Sequence, residues 1–149
     1  MTDTRNAKWL RVASYRYLDG AVELCRTNAR DHSFPVLMLS AHAFELWLKS
    51  KLLENGTATM DDLASQRYGH NLEKMWKMSD FDSKRVDAEA CYAAALGGSV
   101  PAGDSFEVRV GQVSAIWTRE TDYTLRYPVT GFFSPDPCSW TAALECLIR

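Results

Sequence analysis

Several familiar signatures are missing from these 149 residues. There is no Cys-x-x-Cys pair, no glycine-rich phosphate loop, no nucleophile elbow and no histidine pair at metal-ligand spacing. The first absence argues against a zinc ribbon or a thioredoxin-like redox centre, and the others against nucleotide hydrolysis of the P-loop type, α/β-hydrolase chemistry and a zincin-like metal site. An excess of positive charge is also lacking. Lys and Arg number 17 against 19 Asp and Glu, for a net charge of -2, so any affinity for nucleic acid has to come from a local patch. The chain has no uninterrupted apolar run of membrane length: between Phe34 and Leu53, His42, Glu45, Lys49 and Lys51 break the hydrophobic stretch. Nor does an early charged stretch lead into an apolar segment with a small-residue cleavage site, so the cytoplasm is the expected location.

Hydrophobic residues make up 46% and charged residues 24%, the balance of an ordered globular protein. That length suits one domain, residues 1–149, with a core large enough to fold without metal or covalent staples. The four cysteines, Cys25, Cys91, Cys138 and Cys146, are scattered, and reduced thiols are expected; neither a metal nor a cofactor is.

Periodicity points to an all-α fold. From Thr4 to about Ala29, Leu10, Ala13, Tyr17, Ala21 and Leu24 recur every three or four residues, which predicts a long amphipathic helix with Gly20 inside it. Pro35 disfavours helical backbone at Phe34 but suits the first turn of a second helix. That helix runs toward Asn55-Gly56 and is apolar around most of its circumference, so it belongs in the centre of the fold. Residues 61–69 read as a turn or a helical fragment. Asn71 caps a brief helix with Leu72, Met75 and Trp76, and Asp82 or Ser83 is expected to cap another that stops at Gly97-Gly98. Residues 105–119 fit either period, with Phe106, Val108 and Val110 alternating as in a strand and Phe106, Val110, Val113 and Trp117 matching a helix. The longer helical fit and the lack of a partner strand favour helix. Tyr127-Pro128 predicts extended backbone and Gly131 to Pro135 a turn. Asp136-Pro137 then opens a last helix carrying Trp140, Leu144 and Leu147. The expected architecture is a single up-and-down bundle of about five to six helices.

Chemistry concentrates on the second helix, where His42, Glu45 and Lys49 are spaced by three and four residues and form a polar stripe. The stripe is either a Glu–Lys pair beside a satisfied core histidine or the lining of a cleft or dimer seam. His70, between Gly69 and Asn71, either bonds to backbone at a helix start or, with Arg67 and Lys74, contacts a phosphate. Arg126 either locks its extended segment onto carbonyls or onto a carboxylate such as Glu45, or binds ligand.

Residues 41–56, AHAFELWLKSKLLENG, followed by GHNLEKMW at 69–76, resemble the HEPN superfamily of higher eukaryote and prokaryote nucleotide-binding domains. Glu45 and Lys49 match that family's E-x-x-x-K pattern, His70 and Leu72 match its histidine-leucine signature, and Arg126-Tyr127-Pro128 is similar to a segment between its later helices. The resemblance implies a helical bundle that dimerises, paired in many systems with a nucleotidyltransferase or an antitoxin, and with RNA or nucleotide as ligand. Many members are metal-independent ribonucleases, marked by an Arg followed after four to six residues by a His on a late helix. This chain departs from that mark: its three histidines fall at or before residue 70, and only Arg26 and His32 satisfy the spacing. A noncatalytic binding and dimerisation module is therefore the expectation, with a ribonuclease using Arg26 and His32 as the alternative.

Overall fold

The computed structural model describes residues 2–27, 33–117 and 136–149, and among them every regular element is helical. The helices are α1 (Thr2–Thr27), α2 (Ser33–Glu54), α3 (Met60–Ala64), α4 (Leu72–Trp76), α5 (Asp82–Ala95), α6 (Phe106–Trp117) and α7 (Pro137–Ile148), with a single 3-10 turn at Ser79–Phe81 before α5. The expected all-α bundle is the observed one, with seven α-helices among the described residues because the 60–76 region yields two short ones. The expectations for residues 127–135, and for Arg126, lie outside the described residues.

Helix α2 is the central element. Only Pro35 and Glu54 are exposed along residues 34–54, as its nearly continuous apolar circumference requires. Its partner in the most extensive packing is α1, which approaches closely because Gly20 leaves room for Leu39: a Cβ on Gly20 would stand 3.3 Å from Leu39 Cδ1. The loss of helix propensity at Gly20 is offset by that contact. Ser14 Oγ, fully buried, donates 2.7 Å to the Ala43 carbonyl across the same seam.

Four elements meet at Phe44 of α2. Its ring lies 5.6 Å from Trp76 of α4, 5.9 Å from Phe106 of α6 and 5.8 Å from Trp140 of α7, the last two edge-on. Trp140 in turn stacks on Phe106 with centroids 5.1 Å apart. These are favoured aromatic geometries, and the rings carry much of the buried area.

Helix ends depart from expectation in two places. Phe34 is helical although it precedes Pro35, because the proline falls in the first turn, where the missing N–H has no partner to lose. Neither Asp82 nor Ser83 caps α5. The 3-10 turn leads directly into it, Phe81 is the N-cap without a side-chain bond, and Arg85 instead donates to the Trp76 and Met78 carbonyls at 3.0 and 3.1 Å. The other ends behave as their residues dictate. Gly56 and Gly97 adopt φ of 71° and 83° just past α2 and α5, and Asp136 accepts from the Cys138 N–H at the start of α7. Asn71 Oδ1 caps α4 by accepting from the Lys74 N–H at 3.0 Å, and the Ser114 hydroxyl donates to it at 3.3 Å. Asn71→Ala should destabilise the fold by about 1 kcal/mol in urea unfolding, and Asn71→Asp, which keeps an acceptor, should retain most of that stability.

The thiols are not free. Cys25 is bonded to Cys138 and Cys91 to Cys146, each pair with Cα atoms 5.7 Å apart, which corrects the expectation of reduced cysteines. Spacing in sequence cannot reveal these pairs, because residues 113 and 55 positions apart become neighbours only when α7 packs across α1 and α5.

Candidate functional site

Glu45 faces inward from the middle of α2 and is 2% exposed. An ionised carboxylate at such depth is costly unless its oxygens are occupied, and here they are. Lys49 Nζ, one turn on, reaches Oε1 at 2.7 Å. Trp117 Nε1, from the last residue of α6, donates to Oε2 at 2.7 Å. His70 Nδ1 stands 3.0 Å from both oxygens, and since an ionised carboxylate only accepts, that nitrogen is the donor. His42 Nδ1 is 3.9 Å from Oε2, beyond hydrogen-bond reach but close enough to bear on the charge.

Burial works to raise the Glu45 pKa, and the imidazoles of His42 and His70 with the Lys49 ammonium outweigh it, holding the carboxyl well below the usual glutamate range. Glu45 is thus an anion at every physiological pH. With His70 donating through Nδ1, its neutral tautomer carries the lone pair on Nε2.

The imidazoles are also packed against rings. Tyr17 of α1 meets His42 edge-on at 4.4 Å, and Trp117 lies 5.9 Å from His42 and 6.2 Å from His70. The side chains of His42 and His70 keep 31% and 39% of their surface exposed, against 3% for Glu45, so the cluster has a buried anion and a wet, imidazole-lined rim.

The structure therefore brings His42, Glu45, Lys49 and His70 into one constellation. No family model, curated protein or solved structure matches this chain. The site has to be read from its own geometry. His70 contacts the Glu45 side chain on α2, a partner that its position between Gly69 and Asn71 did not suggest. Asn71 is the N-cap of α4, the Ser114 hydroxyl accepts from the Glu73 N–H at 3.0 Å, and Gly69, at φ 51°, turns the chain just before His70. Arg67 and Lys74 stand beside this loop without joining the carboxylate: Lys74 Nζ donates to the Arg67 carbonyl, and both cations lie over the Tyr68 ring at 5.4 and 5.9 Å. Trp117 and Tyr17 were not anticipated as site residues. The clue to Trp117 is chemical, since a buried indole N–H usually finds an acceptor, but which acceptor depends on how α6 crosses α2.

Arg26 is exposed at the end of α1, 3.4 Å from Glu23, while His32 lies outside the described residues, as does Arg126. Among the described residues no cluster of His, Cys, Asp or Glu could hold a metal ion, and no helix is long and apolar enough to cross a membrane.

A second polar cluster, unanticipated, is structural. Asp104 accepts from the Tyr92 hydroxyl and from Arg109 Nη2, both at 2.9 Å, and Arg109 Nε donates to the Tyr92 oxygen at 3.0 Å. Burial works to raise the Asp104 pKa, and bonds from Arg109 and Tyr92 bring it below the ordinary aspartate value. Beside it the Glu89 carboxylate accepts from the Phe106 and Glu107 N–H groups at 2.9 and 3.0 Å, where the dipole of α6 favours an anion.

Proposed function

We propose that this chain is a noncatalytic HEPN-like binding and dimerisation module whose contact surface is the rim of the Glu45 cluster, with RNA or a nucleotide as ligand. A second copy, or a nucleotidyltransferase or antitoxin, is the protein partner. One observation carries the reading: the Glu45 carboxylate is saturated by Lys49, His70 and Trp117 and held ionised, so it orients the half-exposed His70 imidazole instead of moving protons. Arg67, on the loop before α4, and Lys74, on α4 itself, put two cations near the His42 and His70 rim, which suits a phosphate group. The sequence resemblance supports the same class.

The test is fluorescence anisotropy with a mixed-sequence RNA 12-mer and with ATP, alongside light scattering. Wild-type protein should bind at least one of them and run as a dimer, and His70→Ala should weaken binding at least tenfold while remaining folded. A strictly monomeric protein that binds neither would overturn the module. Cleavage of the RNA by wild-type protein but not by His32→Ala would replace it with the ribonuclease reading. Cytoplasmic location belongs to this proposal. Disulfides in that compartment usually take part in redox exchange, which makes the reducibility of the two bonds a direct question.

A further inference from the structure

Both disulfides converge on the same twelve-residue helix. Cys138 ties the start of α7 to the end of α1, and Cys146 ties its last turn to α5. Their surroundings differ. Cys25 and Cys138 are both half-buried, whereas Cys146 is exposed and its partner Cys91 is 8% exposed. The Cys91–Cys146 pair also lines an open depression with Lys84, Asp87, Leu147 and Arg149. Lys84 sits two turns before Cys91 on the same face of α5, with Asp87 3.9 Å from its ammonium. The Arg149 guanidinium is paired with Asp19 and stands 3.6 Å from Glu145. The charges at the depression are therefore nearly balanced, and access rather than charge decides which thiol enters.

Exchange at a disulfide needs an approach to one sulfur, and its rate follows that access. We propose that Cys91–Cys146 is a thiol-exchange site for a dithiol, with Cys146 as the attacked residue, and that opening it releases the last turn of α7 from α5 while Cys25–Cys138 keeps the helix attached. One thiolate of the dithiol bonds to Cys146 Sγ. The Cys91–Cys146 bond breaks, and its electron pair leaves on Cys91, which takes a proton from water. The second thiolate then attacks the mixed disulfide and expels the Cys146 thiolate, which is protonated in turn. Two electrons and two protons have passed to the protein, and the dithiol has become a disulfide. The released turn carries Leu147 and Ile148, 8% and 7% exposed in the closed form, so opening uncovers apolar surface beside α5. Leu144, one turn earlier, and Trp140 are fully buried and hold the rest of α7 in the core. The opening is local for that reason.

The test titrates the oxidised full-length protein with dithiothreitol, quenches with N-ethylmaleimide and maps the label on each cysteine by mass spectrometry, with circular dichroism and hydrogen exchange on the same samples. Cys91 and Cys146 should label at a dithiothreitol concentration at least tenfold below that for Cys25 and Cys138. Helical signal should be retained, and faster exchange should be confined to residues 145–149. The double variant Cys91→Ser/Cys146→Ser should fold and reproduce that exchange pattern without reductant. Simultaneous reduction of both bonds, earlier reduction of Cys25–Cys138, opening only with loss of helicity, or failure of the double variant to fold would each overturn the proposal. So would an inability of Cys91 and Cys146 to pair in oxidised glutathione.

Discussion

Glu45→Ala should destabilise the protein by about 3–5 kcal/mol, the usual cost of removing one partner from a buried charge pair. The loss exceeds that of any single hydrogen bond because three groups lose their acceptor together. The Lys49 ammonium, 13% exposed, is left without its anion, the buried Trp117 indole N–H without an acceptor, and His70 without the carboxylate that sets its tautomer. Glu45→Gln keeps the shape and one carbonyl acceptor, so its cost should be smaller but still larger than that of an exposed carboxylate. Urea unfolding of the three proteins at neutral pH measures the series.

The same carboxylate sets a pH dependence whose sign is defined. Its pKa in the fold lies below its value in the unfolded chain, about 4.3. The unfolded state therefore binds the proton first as pH falls. The stabilisation is complete above the unfolded value and is lost progressively as pH drops below it toward the folded value. Asp104 shifts the same way and contributes to the slope. Subtracting the Glu45→Gln curve from that of the wild type should isolate a component rising from acid pH to about 5 and flat above it. A difference that persists unchanged through the acid range would show that Glu45 carries no such linkage.

Phe44→Ala should cost a comparable amount, about 3–5 kcal/mol, because the void would open where α2, α4, α6 and α7 meet. The rigid rings of Trp76, Phe106 and Trp140 pack against one another as well as against Phe44, so the cavity has little to collapse with. At roughly 2–4 °C per kcal/mol for a chain of this size, the melting temperature should fall by about 6–20 °C. Val86→Ala, at a side chain 76% exposed, is the control and should change stability by no more than about 0.5 kcal/mol. A Phe44→Ala protein within about 1 kcal/mol of wild type would mean that this aromatic junction is not the centre of the core.

The legible and the illegible parts of this molecule divide by the range of the interactions involved. Helix α2 and its central place could be read from residues 34–54 because a helix apolar on all sides has to be wrapped by others. Asn71, Gly56, Gly97 and Asp136-Pro137 marked helix ends because caps and positive-φ turns are decided within four residues. The pairing of Glu45 with Lys49 was readable for the same reason, since one helical turn brings them together.

What the sequence by itself determined is the longer helices and the polar stripe on α2, because both follow from interactions one or two turns long. Only the packed structure decided that His70 and Trp117 close on Glu45 from 25 and 72 residues away, and that α7 reaches Cys25 and Cys91. Such contacts depend on how helices cross, and crossing is selected by the whole core, in which Phe44, Trp76, Phe106 and Trp140 must all fit at once.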